Sequence, residues 1–561
     1  MPRYNATDVP GHSYNNSFKA RNVKRLFARI PLPLHGWPLV GLALAFLLPG
    51  LIGHDPWKTV DAIGIGVVHQ MLTTQNWLTP QLAGEPFLQD GPIYFWVAAL
   101  FAKLLSFALP VHEGARFAST FFVVLALLWV RLAARELYGK NEGDLSMLAL
   151  LGSVGLMWHA HYAAPEMAML AGLAGAYYGL CISHRRPVKG GVFFGIGCSL
   201  AFLAKGLPGL AQPLLAAILV LPLCAEMRRR DFAYAVGLGL LILLPCAAIW
   251  PWLVLQQDPE YFRQWWAWQI SNISNPPTLE EFIALFKTIS WAAWPIWPLT
   301  IWAAFSSRRS VKDPAYTVPL LGVAICLLLL MFMHSPNELD VLALLIPLSI
   351  PAGSAAVRLR RGAANALAWF AIMTFSMAAI FLWLMWFAAM SGMPEKLSSN
   401  VFRLAPGFEF SFQWIAFIAA VLMTVGWLVL ILRSERSTLR SLTHWAAGMT
   451  LCWGLAATLW LDWIDYGRSY SAVAEAARKQ LPRHYACIES RGLGISQRAA
   501  FDYHAGIVTK RLEVHGKTNC PYLLVESRTD EARAKVGAEW RLIWTGSRPR
   551  DRERYRLYRR M

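Results

Sequence analysis

Charge is what this sequence has least of. Only 15% of its 561 residues are Asp, Glu, Lys or Arg, against 56% hydrophobic residues and 26 Trp, where a soluble chain carries about 25% charged residues. That shortage excludes a soluble multi-domain protein and leaves a multi-span membrane protein. Acids are the scarcer sign, with 34 Asp plus Glu against 52 Lys plus Arg and a formal net charge of +18. The excess does not point to nucleic acid, because the cations gather in short clusters between apolar runs, as topology and anionic lipid require. Metal-ligand spacings are lacking too: there is no CxxC, no His-rich run and no DxD-like pair between residues 54 and 116. No cofactor is therefore expected, and assistance by a divalent ion is left open. His159 and His161, two apart with no third ligand, read as interfacial histidines rather than a metal site. No internal repeat at a fixed period occurs.

Apolar sequence is what the chain has in abundance. Crossing a hydrocarbon core takes about 20 residues, and apolar runs lie at 37–53, 92–109, 117–132, 145–160, 167–182, 190–203, 207–224, 232–255, 289–305, 318–333, 341–357, 364–390, 412–432 and 445–460. Positive charge decides whether 92–109 crosses. The basic linkers 131–140, 184–189, 228–230, 308–312, 358–361 and 433–440 share one side only if that run dips into the outer leaflet. About thirteen transmembrane helices follow, in a region spanning 37–465, with an external loop at 54–116. Residues 1–36 form a basic cytoplasmic tail with no small-residue cleavage site after the first apolar run, so it reads as retained. Beyond residue 466 charge rises and polar and apolar residues alternate. Residues 485–488, 522–526, 540–544 and 555–558 read as strands and 498–504 as a helix, a small extracytoplasmic C-terminal α/β domain over 466–561. Six of the eight cysteines sit in or beside apolar runs as small buried hydrophobes. Cys487 and Cys520 stand alone in the C-terminal region, and outside the cytoplasm a disulfide between them is the natural expectation.

The stretch from His54 to Trp96 is too polar and too punctuated by Pro and Gly to cross, yet residues 63–71 suit a helix lying on the lipid surface. Asp55 and Asp61 fall where the chain has just left the membrane, and an acid in a half-dry, lipid-facing cleft is a functional suspect. The plainer readings are a helix cap for Asp61 and a turn start before Pro56 for Asp55. Glu166 follows Pro165 at the outer start of a span, where a carboxylate meets the helix dipole favourably. Lys205, next to Gly206, either snorkels to headgroups or holds a phosphate. Asp90 precedes Pro92, which suits the first turn of a helix. Trp265, Trp266, Trp268, Trp291, Trp294 and Trp297 are interface belts by default and candidate walls of a lipid groove.

Several of these pieces form a set. Gln75-Asn76-Trp77-Leu78-Thr79-Pro80, Leu82-Ala83-Gly84-Glu85-Pro86, Gly91-Pro92 and Tyr94-Phe95-Trp96 resemble the first external loop of bacterial polyprenyl-phosphate-sugar glycosyltransferases. These are the GT-C enzymes that include the aminoarabinose lipid A transferases and the protein O-mannosyltransferases. Glu113-Gly114-Ala115-Arg116, Arg135-Glu136-Leu137-Tyr138-Gly139, Pro165-Glu166, Phe202-Leu203-Ala204-Lys205-Gly206 and Arg548-Pro549-Arg550-Asp551-Arg552 are similar as well, in the same order. The resemblance implies a GT-C-like fold in the bacterial inner membrane, with its cavity on the extracytoplasmic side. It implies transfer of a sugar from a polyprenyl-phosphate donor to a lipid or protein acceptor, among membrane lipids and without nucleic acid. Asp61 and Glu166 become the catalytic candidates; Lys205, Asp55, Asp90, Tyr94 and His334 become the substrate-binding ones. Two departures stand out: the family's Asp-Glu pair is Val60-Asp61 here, and its Lys-Pro-Pro is Asp90-Gly91-Pro92. They motivate an alternative, a catalytically degenerate relative that binds a lipid-linked sugar as an accessory protein. A transporter is disfavoured, since no charged residue sits mid-span in a matched pair of broken helices.

Overall fold

The computed structural model describes residues 30–271, 278–307, 312–333, 337–435, 437–516, 518–527, 536–549 and 551–561. Most of the basic tail at 1–36, the cluster at 308–311 and His334 lie outside the described residues. In lipid, a single apolar segment can satisfy all its backbone N–H and C=O groups only as a helix. Seven described helices are long and apolar enough to cross: Val111–Tyr138, Pro187–Lys205, Arg230–Gln257, Pro314–Phe332, Asp340–Val357, Arg361–Ser391 and Trp414–Arg433. Trp37–Leu47, Ile93–Leu104, Glu166–Ile182, Leu207–Leu223 and Ile296–Ser306 are shorter apolar helices. Large apolar side chains such as Leu241, Met377, Ile415 and Leu422 stay exposed along the long helices, as a lipid-facing surface requires. The protein is a multi-span helical membrane protein.

Three runs differ in detail from the sequence reading. The run 92–109 forms a helix only over Ile93–Leu104, whose 12 residues extend roughly 18 Å, well short of a hydrocarbon core of about 30 Å. The run 145–160 is two helices, Lys140–Leu151 and Val154–His159, broken at Gly152, where a Cβ would stand 2.8 Å from the Trp445 indole. The run 289–305 is likewise divided at Pro295, between Leu279–Ala292 and Ile296–Ser306.

The helix expected on the lipid surface is present as Val60–Thr74, but most of it is buried. Two glycines explain why. A Cβ on Gly64 would meet the Ala163 carbonyl oxygen at 1.9 Å, and one on Gly66 would meet Ala499 Cβ at 2.7 Å. Two positions along a helix turn through about 200°, so the contacts lie on opposite faces. One face presses on the turn before Glu166–Ile182 and the other on the Ile495–Ala505 helix of the C-terminal region. Ala62 joins the C-terminal core itself, with Tyr470, Phe501 and Tyr555.

The loop after this helix carries a short antiparallel pair, β1 (Gln81–Leu82) and β2 (Glu85–Pro86). The C-terminal region is built on a five-stranded sheet in the order β4–β3–β5–β7–β6. Here β3 is Ile488–Arg491, β4 Lys510–Arg511, β5 Tyr522–Ser527, β6 Trp540–Gly546 and β7 Arg554–Arg560. β3 runs parallel to β4 and β5, while β7 is antiparallel to β5 and β6. The strand expected at 485–488 starts only at Ile488, and the two-residue β4 is too short to show any alternation. Cys487 and Cys520 are bridged just ahead of β3 and β5, with a Cα–Cα separation of 5.1 Å.

The glycine contacts give a direct test. Gly64→Ala forces a methyl group into a backbone carbonyl and should destabilise the protein by about 2 kcal/mol or more, lowering its thermal unfolding midpoint in detergent. Gly237→Ala, where nothing lies within 4 Å, should leave the midpoint unchanged or slightly raised.

Candidate active site

Asp61 sits in the first turn of the Val60–Thr74 helix and is fully buried. Its carboxylate faces the equally buried Arg116 guanidinium, 2.7 Å from Nη2 to Oδ2. It also accepts backbone N–H groups from Trp57 at 3.0 Å and Ala163 at 2.8 Å. Arg116 spends its other donors on the carbonyls of Leu51, His54 and Asp55. Burial alone would raise the Asp61 carboxyl, but the Arg116 guanidinium and these hydrogen bonds outweigh it and hold it low. This corrects the expectation of an acid facing a hollow. Asp61 is an internal tie, and the residue that lines the neighbouring cavity is Val60.

That cavity is a chamber of about 420 Å³. On one side of it Lys205 Nζ lies 2.6 Å from Asp90 Oδ1 and 2.5 Å from Glu166 Oε1. Local sequence explains the meeting. Lys205 ends the Pro187–Lys205 helix, and Gly206, at φ +66°, lets the chain turn against Gln269. Gly91 donates its N–H to the Ala204 carbonyl at 2.8 Å, and a Cβ there would reach Leu203 O at 2.1 Å. The Asp90-Gly91 departure is thus a close backbone approach that sets Asp90 against Lys205. Glu166 opens the Glu166–Ile182 helix, where the dipole favours an anion. Burial pushes the Asp90 carboxyl up against the pull of Lys205, with a further push from Glu166, to about 6. Among the described residues Glu166 Oε2 is buried without a hydrogen-bond donor. A buried carboxylate oxygen left open calls for a donor from outside the chain.

A second cavity of about 430 Å³ lies beside the chamber, with Gln89, Lys205 and Asn337 lining both. Its remaining walls are mainly apolar, with Pro208, Ala211, Trp268, Leu329, Leu330 and Met333. Of the tryptophans proposed for a lipid groove, only Trp268 lines it. Trp265 is buried with Phe202, Trp250 and Tyr261, and Trp294 packs on Trp297 and Trp445.

Other candidates lie elsewhere. Asp55 lines a separate cavity with Asp462, Asp465 and Arg548 and accepts from Ser469 Oγ at 2.7 Å. Tyr94 is fully buried, its hydroxyl 2.8 Å from Ser119 Oγ, and Phe95 lines the chamber in its place. Sequence reasoning missed Lys58 and Arg468, which also line the chamber. The available signal was their position, each a cation at the edge of a membrane-proximal segment.

With this geometry in view, the likenesses to known proteins are consistent. Residues 89–252 match the dolichyl-phosphate-mannose-protein mannosyltransferase family. The undecaprenyl phosphate-alpha-4-amino-4-deoxy-L-arabinose arabinosyl transferase of Pseudomonas aeruginosa UCBPP-PA14 is 26% identical over 444 residues, 75% of this chain and 74% of that protein. A Pseudomonas fluorescens Pf0-1 enzyme of the same description is 27% identical over 240 residues, 40% of this chain and 41% of its own length. The match thus spans less than half of that relative. The structure of ArnT from Cupriavidus metallidurans bound to undecaprenyl phosphate superposes with a TM-score of 0.67 at 17% identity, covering 93% of this chain and 97% of that one. The fold is the GT-C fold of ArnT. The resemblance drawn from the loop motifs is borne out: the chain is similar to polyprenyl-phosphate-dependent GT-C glycosyltransferases.

Removing one partner of a buried ion pair strands the other and costs about 3–5 kcal/mol. Arg116→Met should therefore lower the thermal midpoint sharply. Asp61→Asn should do so in the same direction, whereas a catalytic acid would lose turnover with its midpoint unchanged.

Proposed function

We propose that the protein is an inner-membrane glycosyltransferase that moves a sugar from a polyprenyl-phosphate donor to a lipid acceptor on the extracytoplasmic side. The single observation that carries this reading is a polar, carboxylate-bearing chamber that lies beside an apolar groove, with Lys205 lining both. An amphipathic donor needs both compartments side by side: the groove takes the start of the polyprenyl tail and the chamber takes the sugar. The Asp90–Lys205–Glu166 cluster holds one cation between two acids, an environment that suits a sugar carrying a cationic amine, like the 4-amino-4-deoxy-L-arabinose named for the relatives.

The chemistry follows from the same groups. An acceptor hydroxyl attacks the anomeric carbon, forming a new C–O bond as the bond to the donor phosphate oxygen breaks. The acceptor proton passes to a chamber carboxylate, and the polyprenyl phosphate leaves with one more negative charge. Asp90 is the base, because a carboxyl raised to about 6 is ionised at neutral pH yet basic enough to take a proton. Glu166 orients the sugar through its open oxygen, and the Lys205 ammonium keeps both acids in place. Asp61 and Arg116 position the chamber wall. The accessory reading loses its motive here, since the chamber keeps two acids and a cation although its position 60 is Val.

The test is transfer of labelled sugar from a polyprenyl-phosphate donor to lipid by the purified protein in nanodiscs. Glu166→Gln and Lys205→Met should each lower kcat at least about 100-fold, within the usual range for a lost acid–base or charge-orienting group. In the wild type kcat should fall as pH drops through about 6, where Asp90 gains its proton. Asp90→Asn should be slow at every pH and lack that limb. Wild-type rates in all three variants would refute the reading.

A further inference from the structure

The chamber lining also carries two cations, Arg468 and Lys58, that the reaction above leaves unused. There the Arg468 guanidinium lies 4.7 Å from the Trp158 ring centroid and 5.9 Å from that of Trp57. It donates from Nη1 to the Tyr162 hydroxyl at 2.8 Å. Among the described residues no carboxylate lies within ion-pair distance of it. Arginine presents five N–H donors in a planar fork, so most of this fork is open where Arg468 lines the chamber. Lys58 lines the same chamber, and its backbone N–H donates to the Arg468 carbonyl at 3.3 Å. The two backbones are thereby tied together.

Lys58 is also held from the C-terminal region. Its Nζ lies 2.5 Å from Glu553 Oε1 and 3.7 Å from Asp551 Oδ2. Glu553 is buried, and its other oxygen accepts from the Tyr555 hydroxyl at 2.8 Å and lies 3.4 Å from Arg548 Nη2. A residue 495 positions along the chain therefore decides where a chamber lysine points.

We propose that Arg468 and Lys58 form a phosphate-ester subsite in the chamber wall, with Glu553 as the positioning residue for Lys58. An arginine fork flanked by aromatic rings matches paired phosphate oxygens, and the lysine adds a point charge. Asp90 and Glu166 repel an anion, which leaves Arg468 and Lys58 as the lining groups that attract it. The inference rests on the glycosyltransferase reading only in taking the ligand to be lipid-linked. The phosphate is that of the polyprenyl donor or one carried by the acceptor lipid; the chemistry of recognition is the same.

The experiment measures binding to the full-length protein in nanodiscs, without turnover. One arm compares undecaprenyl phosphate with undecaprenol; the other compares lipid A with lipid A stripped of phosphate. Arg468→Gln should cut the preference for the phosphorylated probe in at least one arm by roughly tenfold or more. Phosphate-free binding should stay unchanged, and Arg468→Lys should recover part of the preference. Glu553→Gln should give a smaller loss that vanishes when Lys58→Met is already present. Should Arg468→Gln fail to fold, Lys58→Met carries the same readout, since Lys58 is partly exposed. The arm that responds names the source of the phosphate. Wild-type preference in both arms, or equal weakening of phosphate-free probes, would overturn the subsite. Absence of transfer activity would sink the glycosyltransferase reading but leave this binding result standing.

Discussion

The buried pair between Asp61 and Arg116 is the constraint from which the rest of the site hangs. Removing two charges from water costs several kcal/mol per ion, and attraction offsets this only when the remaining lone pairs and protons are also used. Here they are. Arg116 reaches three carbonyls at the end of the first apolar segment and in the loop beyond it, while Asp61 collects the N–H groups of Trp57 and Ala163. One ion pair thus joins the first span, the external loop and the turn that leads into Glu166. Val60 and Ile63 of the chamber wall follow from the helix that Asp61 starts.

Around that tie sit the charges of the chamber. One cation lies between two acids where the chamber meets the groove, and two further cations, Lys58 and Arg468, line the same chamber. A ligand with an apolar tail and a polar head meets a different environment at each part, which fixes its direction before any chemistry begins. Such preorganisation matters more in a half-dry chamber than in water, because charges there are screened less.

The membrane architecture was legible in the sequence because lipid leaves few options. Apolar run lengths marked the helices, although several, Ile93–Leu104 among them, are shorter than the runs they were read from. The loop motifs led to the family. The role of Asp61 was not legible, since neighbouring helix positions point about 100° apart and periodicity alone did not say whether residue 60 or 61 faces the cavity. Arg116 stood inside a noted motif, yet its partner lies 55 residues earlier. Gly91 looked like a lost phosphate ligand until its contact with Leu203 and Ala204 showed a packing requirement. Lys58 and Arg468 were missed because what places them is tertiary.

The two glycine contacts of the Val60–Thr74 helix have a mechanical corollary. That helix is a partition one helix thick, notched on both sides, with the membrane body seated in one notch and the C-terminal region in the other. Its starting turn is also part of the chamber wall. Any swing of the C-terminal region would have to drag this partition along, so the chamber's bore and the pose of that region are geared to each other.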